Sequence, residues 1–130
     1  MDITFLIGRV LYGGFFVVMG MNHFTKFGAL AAYAASKRVP FPRIAVLVSG
    51  LMIVLGGLAI LLGATAYLNV AVLLIVLFLF FVSIMMHNFW ALSDPQMRTI
   101  EMVNFLKNMA LLGAGFMILA LPTPWPYSIF

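Results

Sequence analysis

The residues able to do chemistry fall into three short groups. Asn22, His23 and Lys26 close the first long apolar stretch, and His23 and Lys26, three apart, share one helical face. Ser83, His87 and Trp90 recur at steps of four and three, with Asn88 beside them. Glu101, Asn104 and Asn108 form a stripe at the start of the last apolar stretch, and Lys107 lies next to it. Imidazole titrates near neutral pH, so it can hold or pass a proton. Imidazole, ammonium and amide groups can also donate to the carbonyl oxygens of a polar head such as a quinone ring. Three other readings compete with that one: mutual hydrogen bonding at a membrane interface, metal or haem ligation by His23 and His87, and proton relay or solute transport. Two histidines without a paired carboxylate or cysteine are a weak metal signal.

The elements that must position these groups are four apolar spans. The chain of 130 residues is 65% hydrophobic and only 8% charged, with a mean hydropathy of +1.20. A soluble domain is nearer half apolar and a quarter charged, so lipid is the solvent this composition suits. The spans run about 3–21, 44–62, 67–86 and 102–121, each close to the roughly 20 residues that cross a bilayer as a helix. Backbone polar groups in hydrocarbon pair internally, which makes helices the natural choice. The fold expected is a single all-α, antiparallel four-helix membrane bundle with short loops. Its packing brings the three polar groups to one level. Polar side chains near lipid are costly, so their clustering marks a candidate site.

Smaller signals fill in the connections. Gly28 to Lys37 reads as a short interfacial helix presenting Leu30, Tyr33 and Ala34, ended by Val39-Pro40-Phe41-Pro42. Gly63-Ala64-Thr65-Ala66 joins spans two and three as a hairpin. Asp94-Pro95 reads as an N-cap with proline at the first helical position, so the last helix starts there and runs into span four. In span one, Arg9, Gly13, Phe16, Gly20 and His23 make one seam, and the glycines admit a neighbouring helix. Arg9 lies about two turns in, some 10 Å at 1.5 Å per residue, where a cation must snorkel or find a partner. Asn69 is the first candidate partner and Asp2 the second. Arg9 and Asn69 are thus a structural pair or the charge of a second, outer site for an anionic or carbonyl-bearing ligand. The tail 122–127 cannot continue a helix, and Trp125 and Tyr127 suit the membrane interface.

Loop charges orient the chain. Lys26, Lys37, Arg38 and Arg43 lie in or beside the first loop, and Asp94 and Arg98 in the third. The positive-inside rule places both loops in the cytoplasm and both termini outside. Asp2 and Arg9 interrupt any signal-peptide pattern, so the first span is expected to be retained. The seven basic residues are too few for a nucleic-acid partner. With no cysteine, the chain by itself holds no disulfide, thiolate metal site or iron–sulfur cluster. No side-chain pair supplies a nucleophile with its base, so catalysis by this chain alone is not expected.

Several segments together resemble the DoxX family of small four-helix membrane proteins. They are Gly8-Arg9 with Gly20, Asn22-His23-Phe24, Val39-Pro40, Ser49-Gly50 with Gly56-Gly57, His87 through Trp90, and Phe105-Leu106-Lys107-Asn108 with Gly113. Similar sequences often carry an acid after the span-three histidine, where this chain has Asn88. The resemblance implies a bacterial cytoplasmic (inner) membrane protein. It also implies a non-autonomous subunit of a redox or oxidative-stress system, at most the membrane subunit of an oxidoreductase. His23, Lys26, His87, Trp90, Asn104, Lys107 and Asn108 would then meet a quinone-like ligand, with haem a lesser candidate, or a partner subunit or second copy. The opposing expectation is a scaffold or assembly factor without a small ligand.

Overall fold

The computed structural model describes residues 2–129. Five α-helices account for most of them, and no strand occurs among the described residues. They are α1 (Asp2–Thr25), α2 (Phe27–Ser36), α3 (Pro42–Leu62), α4 (Leu68–Met85) and α5 (Pro95–Leu119). Two 3-10 turns, Thr65–Tyr67 and Phe89–Ala91, precede α4 and follow it. Helices α1, α3, α4 and α5 are long and apolar enough to cross a membrane, as the four spans predict. The chain is an integral membrane four-helix bundle with α2 set into its first connection.

Two backbones in near contact hold α1 to α3. The α1 seam is as expected: Arg9, Gly13, Phe16 and Gly20 are the buried residues of this helix. A Cβ built on Gly13 would lie 2.6 Å from the Gly57 carbonyl oxygen, and one on Gly57 would lie 2.7 Å from that of Gly13. Without an apolar driving force between helices in lipid, such close packing is what holds them together. The core that follows runs through Phe16, Ile53, Ile60, Val72, Ile75 and Leu79.

Helix ends follow local chemistry. Asp94 caps α5, its carboxylate accepting from the Met97 N–H at 3.2 Å, with Pro95 next in the chain. Gly63 ends α3 in the left-handed region at φ 73°, a conformation glycine adopts without a Cβ penalty. Helix α2 buries Ala31 and Ala34 against Val46 of α3.

Three expectations need correction. The α4 helix stops at Met85, so His87 and Trp90 do not continue the Ser83 stripe; they sit in the turn beyond it. The Trp125 ring does not face outward: it is 4% exposed and packs edge-on against Phe5 at 5.1 Å, while Tyr127 is exposed. Arg9 pairs with neither Asn69 nor Asp2, both of which are exposed. Its Nη1 donates to the Pro126 carbonyl at 3.0 Å and its Nη2 to that of Tyr127 at 2.8 Å. The tail thus folds back over the terminal end of the bundle, and Ile129 N–H donates to the Leu62 carbonyl at 3.0 Å.

Candidate functional site

The loop end of the bundle forms an open-sided cavity of about 410 Å3. Its walls are mainly apolar side chains from the first four helices and their connections, among them Phe16, Phe78, Val82 and Met86. Into it come His23 from α1, Tyr33 from α2, Ser49 from α3, His87 from beyond α4, and Lys107 and Asn108 from α5. A concave apolar space with a few convergent polar groups is the usual form of a small-molecule site, and this volume lies in the usual range.

Each polar group has a local reason for its position. Gly50 makes room for His23, since a Cβ there would lie 2.6 Å from the His23 Cβ. The His23 Nδ1 is 2.9 Å from the Met19 carbonyl one turn back, so this nitrogen donates to it and Nε2 is the ring nitrogen left over. Its ring also meets Phe78 edge-on at 5.7 Å. Ser49 and Ser83 spend their hydroxyls on the carbonyls of Val46 and Leu79. Asn108 is buried.

His87 is held from outside the cavity. Its Nδ1 lies 2.5 Å from Oε2 of Glu101, and Tyr33 donates its hydroxyl to Oε1 of the same carboxylate at 3.1 Å. Glu101 is 5% exposed. With Glu101 ionised, Nδ1 must carry the proton, and Nε2 is the ring nitrogen free to act on a ligand. The expectation that no carboxylate pairs with a histidine is therefore overturned. In the sequence Glu101 stands only as one member of the polar stripe and Tyr33 only on the face of a short helix. The Asn88 side chain has a separate partner: Lys37 Nζ donates to its Oδ1 at 3.4 Å and lies 5.9 Å from the Tyr33 ring.

The other expected site residues stand elsewhere. Lys26 is exposed beyond the end of α1. Trp90 is half exposed and packs with Phe89 and Phe105 in an aromatic cluster, all at edge-on distances under 6 Å. Asn104 is half-buried and does not line the cavity. The site is smaller than the seven residues expected, but it gains Tyr33 and Glu101. Among the described residues, no cluster of three or more His, Asp or Glu side chains could hold a metal ion.

Tyr33 offers a test of this arrangement. Partial burial, and then the Glu101 charge and its hydrogen bond, push the phenol up to about 12. The folded value lies above the ordinary one of about 10. Tyr33 therefore stabilises the fold fully below about 10, and this contribution is lost as pH rises through about 12. Thermal melts across that window should fall with pH, and Tyr33→Phe should flatten the part due to this residue. An unchanged slope in the variant would show that the fold does not raise the phenol.

These features define a class: an integral membrane four-helix protein with a polar-tipped cavity at its loop end. The chain belongs to the DoxX family, whose model matches residues 4–88, more than half of the sequence. The matched stretch covers α1 through α4 and ends at Asn88, so Glu101, Lys107 and Asn108 lie beyond it. Neither the curated proteins nor the solved structures contain a significant match.

Proposed function

We propose that this DoxX family protein is a non-autonomous membrane subunit of a redox or oxidative-stress system, and that its loop-end cavity takes the ring of a quinone-like molecule. The observation that carries the reading is the convergence of His23, His87 and Lys107 on one apolar cavity of about 410 Å3. Lys107 can donate to a carbonyl oxygen as it stands, and each histidine can do so from Nε2 when its ring carries both protons. Glu101, accepting from Nδ1, orients the His87 ring and leaves Nε2 as the nitrogen available to the ligand. Lys107 would supply a positive charge, and Asn108 a neutral donor and acceptor. Ligand oxygen is met by nitrogen donors, and ring and tail are met by aromatic, aliphatic and methionine side chains. The bacterial cytoplasmic (inner) membrane, with the basic loops inside and the termini outside, fits the distribution of lysine and arginine. A partner subunit would find an aromatic surface at the same end in Phe89, Trp90 and Phe105.

Equilibrium dialysis of a short-tailed benzoquinone against the detergent-purified protein tests this reading. Saturable binding is expected, and His87→Ala should weaken it about tenfold, the value of one hydrogen bond from a charged donor. Binding that does not saturate, or that His87→Ala leaves unchanged, removes the quinone from the proposal and favours a scaffold without a small ligand.

A further inference from the structure

The terminal end of the bundle has a second opening, unconnected with the quinone reading. There α1 and α5 are bridged by Tyr12, whose hydroxyl donates to the Leu111 carbonyl at 2.8 Å. Past this bridge a crevice of about 300 Å3 lies between the two helices, walled by Phe5, Gly8, Ala114, Met117 and Leu121. Met117 on the rim is 73% exposed on an apolar helix, so the crevice faces the bilayer. A Cβ on Gly8 would meet nothing within 4 Å, which leaves the α1 side of the crevice open.

Arg9 and Trp125 also line this crevice, and each is only 4% exposed. The two Nη atoms of Arg9 are satisfied by the tail, but its Nε–H has no acceptor, and neither has the Trp125 Nε1–H. Both side chains pack on Phe5: the Trp125 ring lies edge-on at 5.1 Å and the Arg9 guanidinium carbon is 6.0 Å from the ring centre. Among the described residues, no carboxylate pairs with Arg9; the one ion pair is His87 with Glu101. A buried cation bonded, among the described residues, only to neutral carbonyls, with a spare N–H of its own and another on Trp125, calls for an anion. The position is about two turns into α1, near 10 Å, a depth that the phosphate and ester groups of a lipid can reach when an acyl chain enters alongside.

We infer that the crevice holds one anionic phospholipid of the surrounding bilayer. An acyl chain lies past Gly8 between α1 and α5, and a shift of the Arg9 and Trp125 side chains, buried in this structure, lets a phosphate or ester oxygen accept from Arg9 Nε and Trp125 Nε1. The lipid supplies a negative charge that none of the described residues brings to Arg9, and it closes a gap that the helices do not fill themselves.

The test uses the full chain reconstituted into phosphatidylcholine vesicles that contain phosphatidylglycerol. The protein is re-extracted in mild detergent, and the lipids it keeps are identified by mass spectrometry. Phosphatidylglycerol should be retained in preference to phosphatidylcholine. Trp125→Phe, which keeps the ring but removes its N–H, should lower that retention about tenfold, as expected for a lost hydrogen bond to a charged acceptor. Gly8→Leu, which fills open space and leaves the clamp on the tail intact, should abolish it. Equal retention of the two lipids, retention unchanged in Gly8→Leu, or selective retention of a free fatty acid would overturn the inference. Benzoquinone binding should be unchanged in both variants, since the two sites lie at opposite ends of the bundle.

Discussion

Gly57→Leu is expected to unseat α1 from α3 and to be the most damaging substitution in the chain. The contact it strikes is backbone on backbone: a Cβ at position 57 would lie 2.7 Å from the Gly13 oxygen, 3.0 Å from the Val17 nitrogen and 3.0 Å from the Phe16 Cβ. No rotamer relieves a clash with main-chain atoms, so the helices must move apart. Overpacking usually costs about 1–3 kcal/mol, and a clash with main-chain atoms belongs at the top of that range or above it. Separating α1 from α3 would also open the Gly20 and Gly50 contacts nearer the loop end, where Gly50 makes room for His23. Both the melting temperature in detergent and benzoquinone binding should therefore fall. Gly28→Ala, where a Cβ meets nothing within 4 Å, serves as the control and should melt with the parent. A Gly57→Leu protein that also melts with the parent would show that this helix pair is not packed so closely.

Glu101→Ala should have the second largest effect, on the site more than on the fold. One carboxylate accepts from His87 and from Tyr33, so the substitution frees two side chains that approach it from different elements. Hydrogen bonds to a charged group contribute about 1.5–3 kcal/mol each, but Tyr33 is 37% exposed and can turn to water, so a net loss of about 2 kcal/mol is expected. The sharper readout is His87 itself. Its ring should react faster with diethyl pyrocarbonate once the acceptor on Nδ1 is gone, and benzoquinone affinity should drop at least as far as in His87→Ala. Glu101→Gln separates charge from shape. Its amide can satisfy Tyr33 or face His87, but it cannot accept from both as the carboxylate does. If His87 reactivity is the same in all three proteins, Glu101 does not orient the ring.

The parts of this molecule legible in the sequence are those set by period and by local chemistry. The α1 seam could be read because Arg9, Gly13, Phe16 and Gly20 repeat at helical steps, and the same faces are buried. Asp94-Pro95 marked the start of α5 because a capping carboxylate acts within its own first turn. Three features lay out of reach for different physical reasons. The acceptors for Arg9 are backbone carbonyls, which every residue possesses, so nothing distinguishes Pro126 and Tyr127 in advance. The end of α4 at Met85 is marked by no glycine or proline, and it decides that His87 reaches Glu101 from a turn. Tyr33 belongs to a ten-residue helix whose docking against α3 sets where its hydroxyl points. The cavity residues His23, His87, Lys107 and Asn108 were recognisable as a group because antiparallel helices level their ends. Lys26, Trp90 and Asn104 satisfy the same levelling but point elsewhere, since level alone does not fix azimuth.

The clamp between Arg9 and the tail also bears on biogenesis. Arg9 enters the bilayer with the first helix, yet the carbonyls that satisfy it lie 117 and 118 residues further along. Through most of translation the first helix therefore carries a cation with no partner of its own. The insertion machinery, the headgroups or water must shelter it until residues 126 and 127 are delivered. Ribosome-stalled chains that stop short of those residues should hold their first helix less firmly than chains that extend past them, so this end of the bundle closes only after residues 126 and 127 have emerged.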